Sequence, residues 1–213
     1  MLYFIHPVDD STDFLDKIYK EIIESIGDEN VKIFLFDGKE PEDVFDEIKD
    51  IPIESNIFFL GHGRGDRLYG VLEEEYTAFV DIKKMSVFDN RNLFCLSCQS
   101  EELLTRTHRD RAILSAIGFG NLPTSQEEVN NIRHIRKRNI TNYDVDEFKK
   151  IIVECVTKSI LNFYKNSENF EYLYSYLRIL LHKRMNDVVI NESKRGLAEL
   201  IYQMCDQMIY IEE

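Results

Sequence analysis

The first half of the chain alternates between short apolar runs and amphipathic stretches. Five runs rich in Ile, Phe and Leu have the length and composition of strands that are buried on both faces. They cover residues 2–6, 31–36, 56–60, 92–97 and 112–118. Between them, residues 11–26 and 41–48 place apolar side chains at helical spacing, after a Ser/Thr/Asp cluster in the first case and with Pro41 in the first turn in the second. Strands that alternate with helices predict an α/β fold with a doubly wound, mainly parallel sheet flanked by helices.

After Pro123 the apolar spacing becomes helical throughout. The predicted helices cover residues 126–138, 145–165, 170–185 and 194–211, and no strand is predicted there. The connection over residues 121–125 is too short for a flexible interdomain linker. We therefore expect a single domain over 1–213, with an α/β core over 1–125 and a helical C-terminal part over 126–213 packed on it.

Composition and charge argue against some classes of function. A chain of 213 residues with 44% hydrophobic content can bury one substantial core. Its 26 basic against 39 acidic residues give a net charge of −13, which repels nucleic acid and anionic lipid alike. The apolar runs are far shorter than a bilayer span, and no leader pattern opens the chain. We expect a cytoplasmic protein that binds neither membranes nor nucleic acid directly.

The four cysteines are expected to be thiols. Cys95-x-x-Cys98 resembles half of a zinc or redox motif, but no second Cys-x-x-Cys or His-x-x-x-His pair would complete a tetrahedral site. Both residues belong to one predicted strand and its end, where they need not converge on a metal. The sequence therefore predicts neither a metal nor another cofactor.

Candidate chemistry lies at the ends of two predicted strands. The strand over 56–60 runs into Gly61-His62-Gly63, and the strand over 92–97 runs into Cys98. A thiol at a strand-to-helix junction gains thiolate character from the helix N-terminus, and a nearby imidazole can exchange its proton. If the two loops face each other, the backbone N–H groups of Gly63 and Cys98 would be placed to bind a developing oxyanion. Ser100 is expected to cap the following helix, and residues 67–80 predict a small hairpin beside the histidine loop.

These residues resemble a known family. An apolar strand with Gly-His-Gly, followed by an apolar strand that ends Leu96-Ser97-Cys98-Gln99-Ser100, is similar to the caspase-like (clan CD) cysteine peptidases and closest to their CHAT branch. The resemblance implies a caspase-like fold over most of the chain, His62 and Cys98 as a catalytic dyad, and Cys95 as a buried strand residue. The implied activity is peptide-bond hydrolysis through an acyl-enzyme, without a cofactor.

The resemblance also bears on substrate and control. Leu96 occupies the place of the glutamine that helps caspases bind an acidic P1 side chain, which argues against aspartate specificity. An acidic chain could instead favour a basic P1 residue, held by Asp66 or by one of the carboxylates at 73–75. Relatives of this kind are often released from inhibition by a protein or ligand, so a regulatory partner and a role in bacterial defence are expectations from analogy.

Other interpretations stay open. His62 alone is typical of a turn histidine and Cys98 alone of a buried thiol, so the catalytic prediction depends on their joint occurrence. A catalytically silent caspase-like signalling or interaction module is the main alternative. The opening segment, residues 3–10, faintly resembles a TIR domain and would indicate nucleotide signalling instead. The basic run over 133–138 and the remaining histidines, His6, His108, His134 and His182, are interpreted as structural or solvated.

Overall fold

The computed structural model describes residues 1–36, 39–72, 75–132 and 140–212. The chain forms two compact units, Met1–Gly120 with the C-terminal segment from Met208, and Asn121–Gln207. Strands of the first unit are β1 (Leu2–His6), β2 (Val31–Leu35), β3 (Asn56–Leu60), β4 (Gly63–Arg64), β5 (Arg67–Leu72), β6 (Glu75–Asp81), β7 (Asn92–Leu96), β8 (Ser115–Gly118) and β9 (Ile209–Glu212). Its helices are α1 (Asp16–Ile26), α2 (Pro41–Lys49) and α3 (Ser100–Thr107).

The central sheet has six strands in the order β2-β1-β3-β7-β8-β9. All neighbouring pairs are parallel except β8 with β9. The chain moves from β1 outward to β2 and then returns to the other side of β1 with β3, so the direction of winding reverses between β1 and β3. This is a mixed α/β fold with a mainly parallel, doubly wound sheet flanked by helices, as the sequence predicts.

Both faces of the central sheet are buried. On one face, the rings of Phe4, Phe58, Phe94 and Phe119 form a continuous row, with neighbouring centroids 5.0, 5.6 and 5.2 Å apart. The opposite face presents side chains such as Ile5, Ile57, Phe59, Leu93 and Cys95 to a core that includes residues of α2 and α3. The predicted burial on both faces fails only for β2, where Leu35 is 38% exposed, because this strand has a neighbour on one side alone.

The C-terminal segment corrects the sequence analysis. The helix predicted over 194–211 ends at Asp206, and residues 209–212 form β9 against β8. Ile209 and Ile211 are two residues apart, so a strand directs both side chains to the same face, where they pack against the core of the first unit. The chain end thus supplies the sixth strand of the sheet.

The smaller sheet contains β4, β5 and β6 in antiparallel order. The predicted hairpin over 67–80 is confirmed, and Gly70 lies within β5. A Cβ atom at Gly70 would come within 2.7 Å of the Phe36 ring and 2.9 Å of Pro41, so glycine allows close packing of β5 against these residues.

The second unit is helical over its described residues. Its helices are α4 (Gln126–Asn131), α5 (Asn142–Asn166), α6 (Phe170–Asn191) and α7 (Arg195–Asp206). Helix α5 begins with a capping box, in which Thr141 and Asp144 each accept a backbone N–H of the other. A helix is present in each of the four predicted ranges, but α4 ends at Asn131, where the prediction extended to residue 138, and Ile132 is already extended. The basic run over 133–138 and His134 lie outside the described residues. Packing of this part on the sheet stays a prediction.

Among the described residues, no helix is both long enough and apolar enough to cross a lipid bilayer.

Arg91 joins two connections of the first unit, the one between α2 and β3 and the one between β6 and β7. Its guanidinium donates to the carbonyl oxygens of Ile51 at 3.0 Å, Val87 at 3.1 Å, Asp89 at 3.0 Å and Lys49 at 3.2 Å. Hydrogen bonds from a charged donor contribute more than neutral ones, and these carbonyl groups would lose their partner together. Arg91→Met should therefore lower the free energy of unfolding by about 2–3 kcal/mol, measured by urea denaturation.

Arg109→Met is the matched control, since Arg109 is an exposed arginine of the same unit. Its effect should stay within about 0.5 kcal/mol. An equal loss of unfolding free energy in the two variants would show that the hydrogen bonds of Arg91 do not have the expected stabilising effect.

Candidate functional site

The predicted site residues lie beyond the carboxyl ends of three adjacent strands. Asp9 and Ser11 follow β1, His62 follows β3, and Cys98 follows β7. In doubly wound sheets, ligands bind in the crevice outside these strand ends where the winding reverses. Here the reversal falls between β1 and β3, so the histidine loop lies at the position where such a crevice opens.

His62 is anchored by the loop that follows β1. Its Nε2 atom is 2.8 Å from Ser11 Oγ and 2.8 Å from Asp9 Oδ2. The His62 and Asp9 side chains are 20% and 14% exposed, so water screens their interaction only weakly. The backbone is fixed as well, because Tyr69 N donates to the His62 carbonyl oxygen at 3.0 Å.

Asp9 uses its two carboxylate oxygens differently. Oδ1 accepts from Ser11 N at 2.7 Å, Ser11 Oγ at 2.7 Å and Thr12 N at 3.1 Å, while Oδ2 is buried and faces the His62 ring. Burial raises the pKa of Asp9, but hydrogen bonds and charge from His62, together with Ser11, outweigh it and hold the pKa well below its usual range. Asp9 is therefore a carboxylate at physiological pH.

These contacts assign the tautomer of His62. A carboxylate only accepts hydrogen bonds, so the hydroxyl proton of Ser11 lies on its 2.7 Å bond to Asp9 Oδ1. Ser11 Oγ must then accept from His62, whose Nε2 consequently carries a proton. When the ring is neutral, its basic lone pair is on Nδ1.

Cys98 occupies a tight strand-to-helix turn. It is partly exposed, and the next residue, Gln99, is left-handed with φ 57° and ψ 23° before α3 begins at Ser100. Gln99 N donates to the Gly120 carbonyl at 2.9 Å, and Glu101 N donates to the Phe119 carbonyl at 3.1 Å. A non-glycine residue in this conformation is costly and is found preferentially at functional turns.

Ser100 does not cap α3, contrary to the sequence analysis. Its side chain is buried, donates to the Cys95 carbonyl at 2.7 Å and accepts from Phe119 N at 2.8 Å. Because the hydroxyl bridges the ends of β7 and β8, it fixes the turn that carries Cys98.

The loops after β3 and β7 lie against each other. The strands are paired in register with Leu60 opposite Leu96, and His62 and Cys98 each follow two residues later. Gly61 N donates to the Leu96 carbonyl at 3.2 Å. A Cβ atom on Gly63 would lie 2.6 Å from Ser97 Oγ and 2.9 Å from the Cys98 carbonyl oxygen. The backbone of Gly63 therefore lies against the backbone of Cys98, while the use of their N–H groups as oxyanion donors stays a prediction.

A polar groove of about 390 Å³ adjoins this junction, and it is lined by Arg64, Gly65, Asp66, Gln99, Glu102 and Arg106. Its two carboxylates are paired with arginines, Asp66 with Arg67 at 2.6 Å and Glu102 with Arg106. Asp66 is thus a weaker candidate for holding a basic P1 residue than its sequence position indicates. Residues 73 and 74 and the side chain of Glu75, the other candidates, lie outside the described residues.

The other cysteines and histidines that the structure describes do not extend the site. Cys95 is fully buried in β7, and burial raises the pKa of its thiol to about 12. His6 is also buried, which lowers its pKa to about 4 and keeps it neutral. His182 lies 3.2 Å from Cys205 in the second unit, and His108 is exposed. Within the described ranges, no cluster of three or more metal-ligating side chains occurs.

Asp9 and Ser11 were not among the predicted site residues. A signal was present, because an Asp-x-Ser segment lies shortly after the first predicted strand, and ligands of parallel sheets bind beyond the carboxyl ends of strands. The pairing of β1 with β3 brings this segment to His62.

The fold and these residues define a doubly wound α/β protein with a histidine and a cysteine at adjacent strand ends. No protein-family model matches the chain, and no curated protein matches it either.

Proposed function

We propose that the chain is a cysteine endopeptidase of the caspase-like type, with the CHAT branch as its nearest counterpart and the dyad His62 and Cys98. The observation that carries the proposal is the junction of the two loops, where Gly63 contacts Cys98 while Nε2 of the adjacent His62 is held by Asp9 and Ser11. Nucleophilic catalysis by cysteine requires an imidazole close to the thiol, and the register that places His62 and Cys98 on neighbouring loops supports such a pairing.

In the proposed reaction, the Cys98 thiolate attacks the peptide carbonyl carbon and a C–S bond forms. Backbone N–H groups of Gly63 and Cys98 stabilise the resulting oxyanion. The intermediate collapses as the C–N bond breaks, and the departing amine takes a proton from Nδ1 of His62. Water then attacks the acyl-enzyme and gives a proton to His62, and the C–S bond breaks to release the carboxylic acid. None of these steps requires a metal or an organic cofactor.

The substrate is a protein or peptide segment that lies across the loop junction, with one side chain in the groove over Arg64 and Gln99. We also propose a cytoplasmic location and control by a regulatory protein partner. The location is supported by the cysteines, all of which are described and none of which forms a disulfide.

The proposal predicts selective labelling of Cys98 by peptide acyloxymethyl ketones. Incubation of the full chain with a panel that varies P1, followed by mass spectrometry, should modify Cys98 ahead of Cys95, Cys155 and Cys205. The three other thiols are buried and their pKa values are raised by desolvation, so their thiolate fraction is small.

His62→Ala should slow this labelling by about 10²-fold, because general acid-base assistance is lost. His108→Ala is the matched control, since His108 is exposed, and it should not change the rate. Equal labelling of the four cysteines, or none at Cys98, would favour a catalytically silent interaction module.

A further inference from the structure

The geometry points to Asp9 as a positioning residue that acts through His62 and keeps Cys98 reactive at neutral and mildly acidic pH. This inference rests on the proposed function and adds a third group to the dyad. Neither the fold nor the sequence motif requires a carboxylate at this position.

The two carboxylate oxygens of Asp9 have different partners, so the role of this residue in the turn can be distinguished from its proposed role beside His62. Folding of the loop after β1 uses Oδ1, which already accepts from two backbone N–H groups and one hydroxyl of its own segment. Oδ2 contributes nothing to that turn, yet it is buried and lies 2.8 Å from His62 Nε2. An Asn side chain could keep the turn through its own oxygen, so the negative charge is needed only for the imidazole.

Side chains of β1 and α1 support the loop that carries Asp9. Thr12, which follows Ser11, accepts from His6 Nε2 through its carbonyl oxygen at 3.2 Å, and Tyr19 OH lies 3.4 Å from His6 Nδ1. His6 is fully buried, and its low pKa keeps it neutral, so it contributes no competing charge near Asp9. The carboxylate is therefore pre-positioned before any substrate binds.

The negative charge of Asp9 determines the direction of its expected effect on the reactivity of Cys98. Transfer of the Cys98 proton to Nδ1 would place a positive charge on the ring, and the Asp9 carboxylate 2.8 Å from Nε2 would stabilise that charge. The thiolate-imidazolium pair then persists below the ordinary thiol pKa of about 8.5. The charged groups near this pair come from three parts of the first unit. The β1 loop supplies Asp9, and Asp13 and Asp16 lie behind His6. The β3 loop and β5 supply Arg64, Asp66 and Arg67, and α3 supplies Glu101, Glu102 and Arg106.

The test is the pH dependence of Cys98 alkylation by iodoacetamide, followed by mass spectrometry on the full chain between pH 5 and 9. The wild type should react with a midpoint well below pH 8.5 that His62→Ala abolishes. Asp9→Asn should raise that midpoint by about one pH unit or more and slow the reaction at pH 6 about tenfold, while the rate at pH 9 stays similar. Asp9→Glu, which restores the charge, should recover part of the shift.

Two outcomes separate the inference from the proposal on which it rests. If the wild-type midpoint is near pH 8.5 and is the same in His62→Ala, the proposed function itself is overturned. A low, His62-dependent midpoint that is unchanged in a folded Asp9→Asn variant would overturn the role of Asp9 alone. If Asp9→Asn does not fold, long-range ¹⁵N–¹H spectra of the wild type identify which ring nitrogen of neutral His62 carries the proton. A proton on Nε2 supports the inference, and a proton on Nδ1 contradicts it.

Discussion

Replacement of Cys98 by Ala is expected to abolish peptide-bond cleavage while the protein stays folded. In the proposed reaction the Cys98 thiol forms the bond to the substrate, and Cys95 could not replace it, since Cys95 is fully buried and burial raises the pKa of its thiol to about 12. Removal of a nucleophile of this kind lowers the turnover rate by at least about 10³-fold. The measurement is mass-spectrometric detection of new termini in a peptide library that covers every P1 residue.

Cys95→Ala is the control for this experiment. It removes a thiol three residues before Cys98, within β7, and cleavage should continue at a comparable rate. Cleavage that survives in Cys98→Ala and disappears in Cys95→Ala would show that the nucleophile is assigned to the wrong cysteine of the pair.

Gly63→Ala is expected to reduce turnover by about 10²-fold or more, because it separates the two loops that form the site. The added Cβ would lie 2.6 Å from Ser97 Oγ and 2.9 Å from the Cys98 carbonyl oxygen, which belongs to the backbone and cannot rotate away. The loss should appear mainly in kcat, since the proposed oxyanion donors, Gly63 N–H and Cys98 N–H, would act in the transition state. Steady-state kinetics on the best library peptide would measure it.

Gly65→Ala provides the comparison within the same loop. Its Cβ would meet the Glu102 carboxylate, the far end of a flexible side chain that can move aside. Its loss should therefore be less than about tenfold and should appear mainly in KM, because Gly65 lines the groove. Equal losses in kcat for the two variants would mean that loop separation at Gly63 is not what controls the rate.

Most strands could be predicted from local pattern. The segments over 2–6 and 56–60 match β1 and β3 in full, because runs of Phe, Ile and Leu of this length are stable only when a sheet buries them. The C-terminal strand could not be predicted in the same way. Residues 209–212 follow a helix directly, and their alternation extends over too few positions to distinguish a strand from a last helical turn.

The sequence by itself determined the order of the elements before the C-terminal strand, the mainly parallel sheet, and the placement of His62 and Cys98 at strand ends. These features follow from hydrophobic periodicity and from glycine beside a reactive side chain, both of which are local. Only the tertiary structure decided that Asp9 and Ser11 contact His62, that Gly63 lies against Cys98, and that Ser100 bridges β7 and β8. The reason is strand order: β1 and β3 are more than 50 residues apart in sequence and become neighbours only through backbone pairing, with Leu2 opposite Asn56.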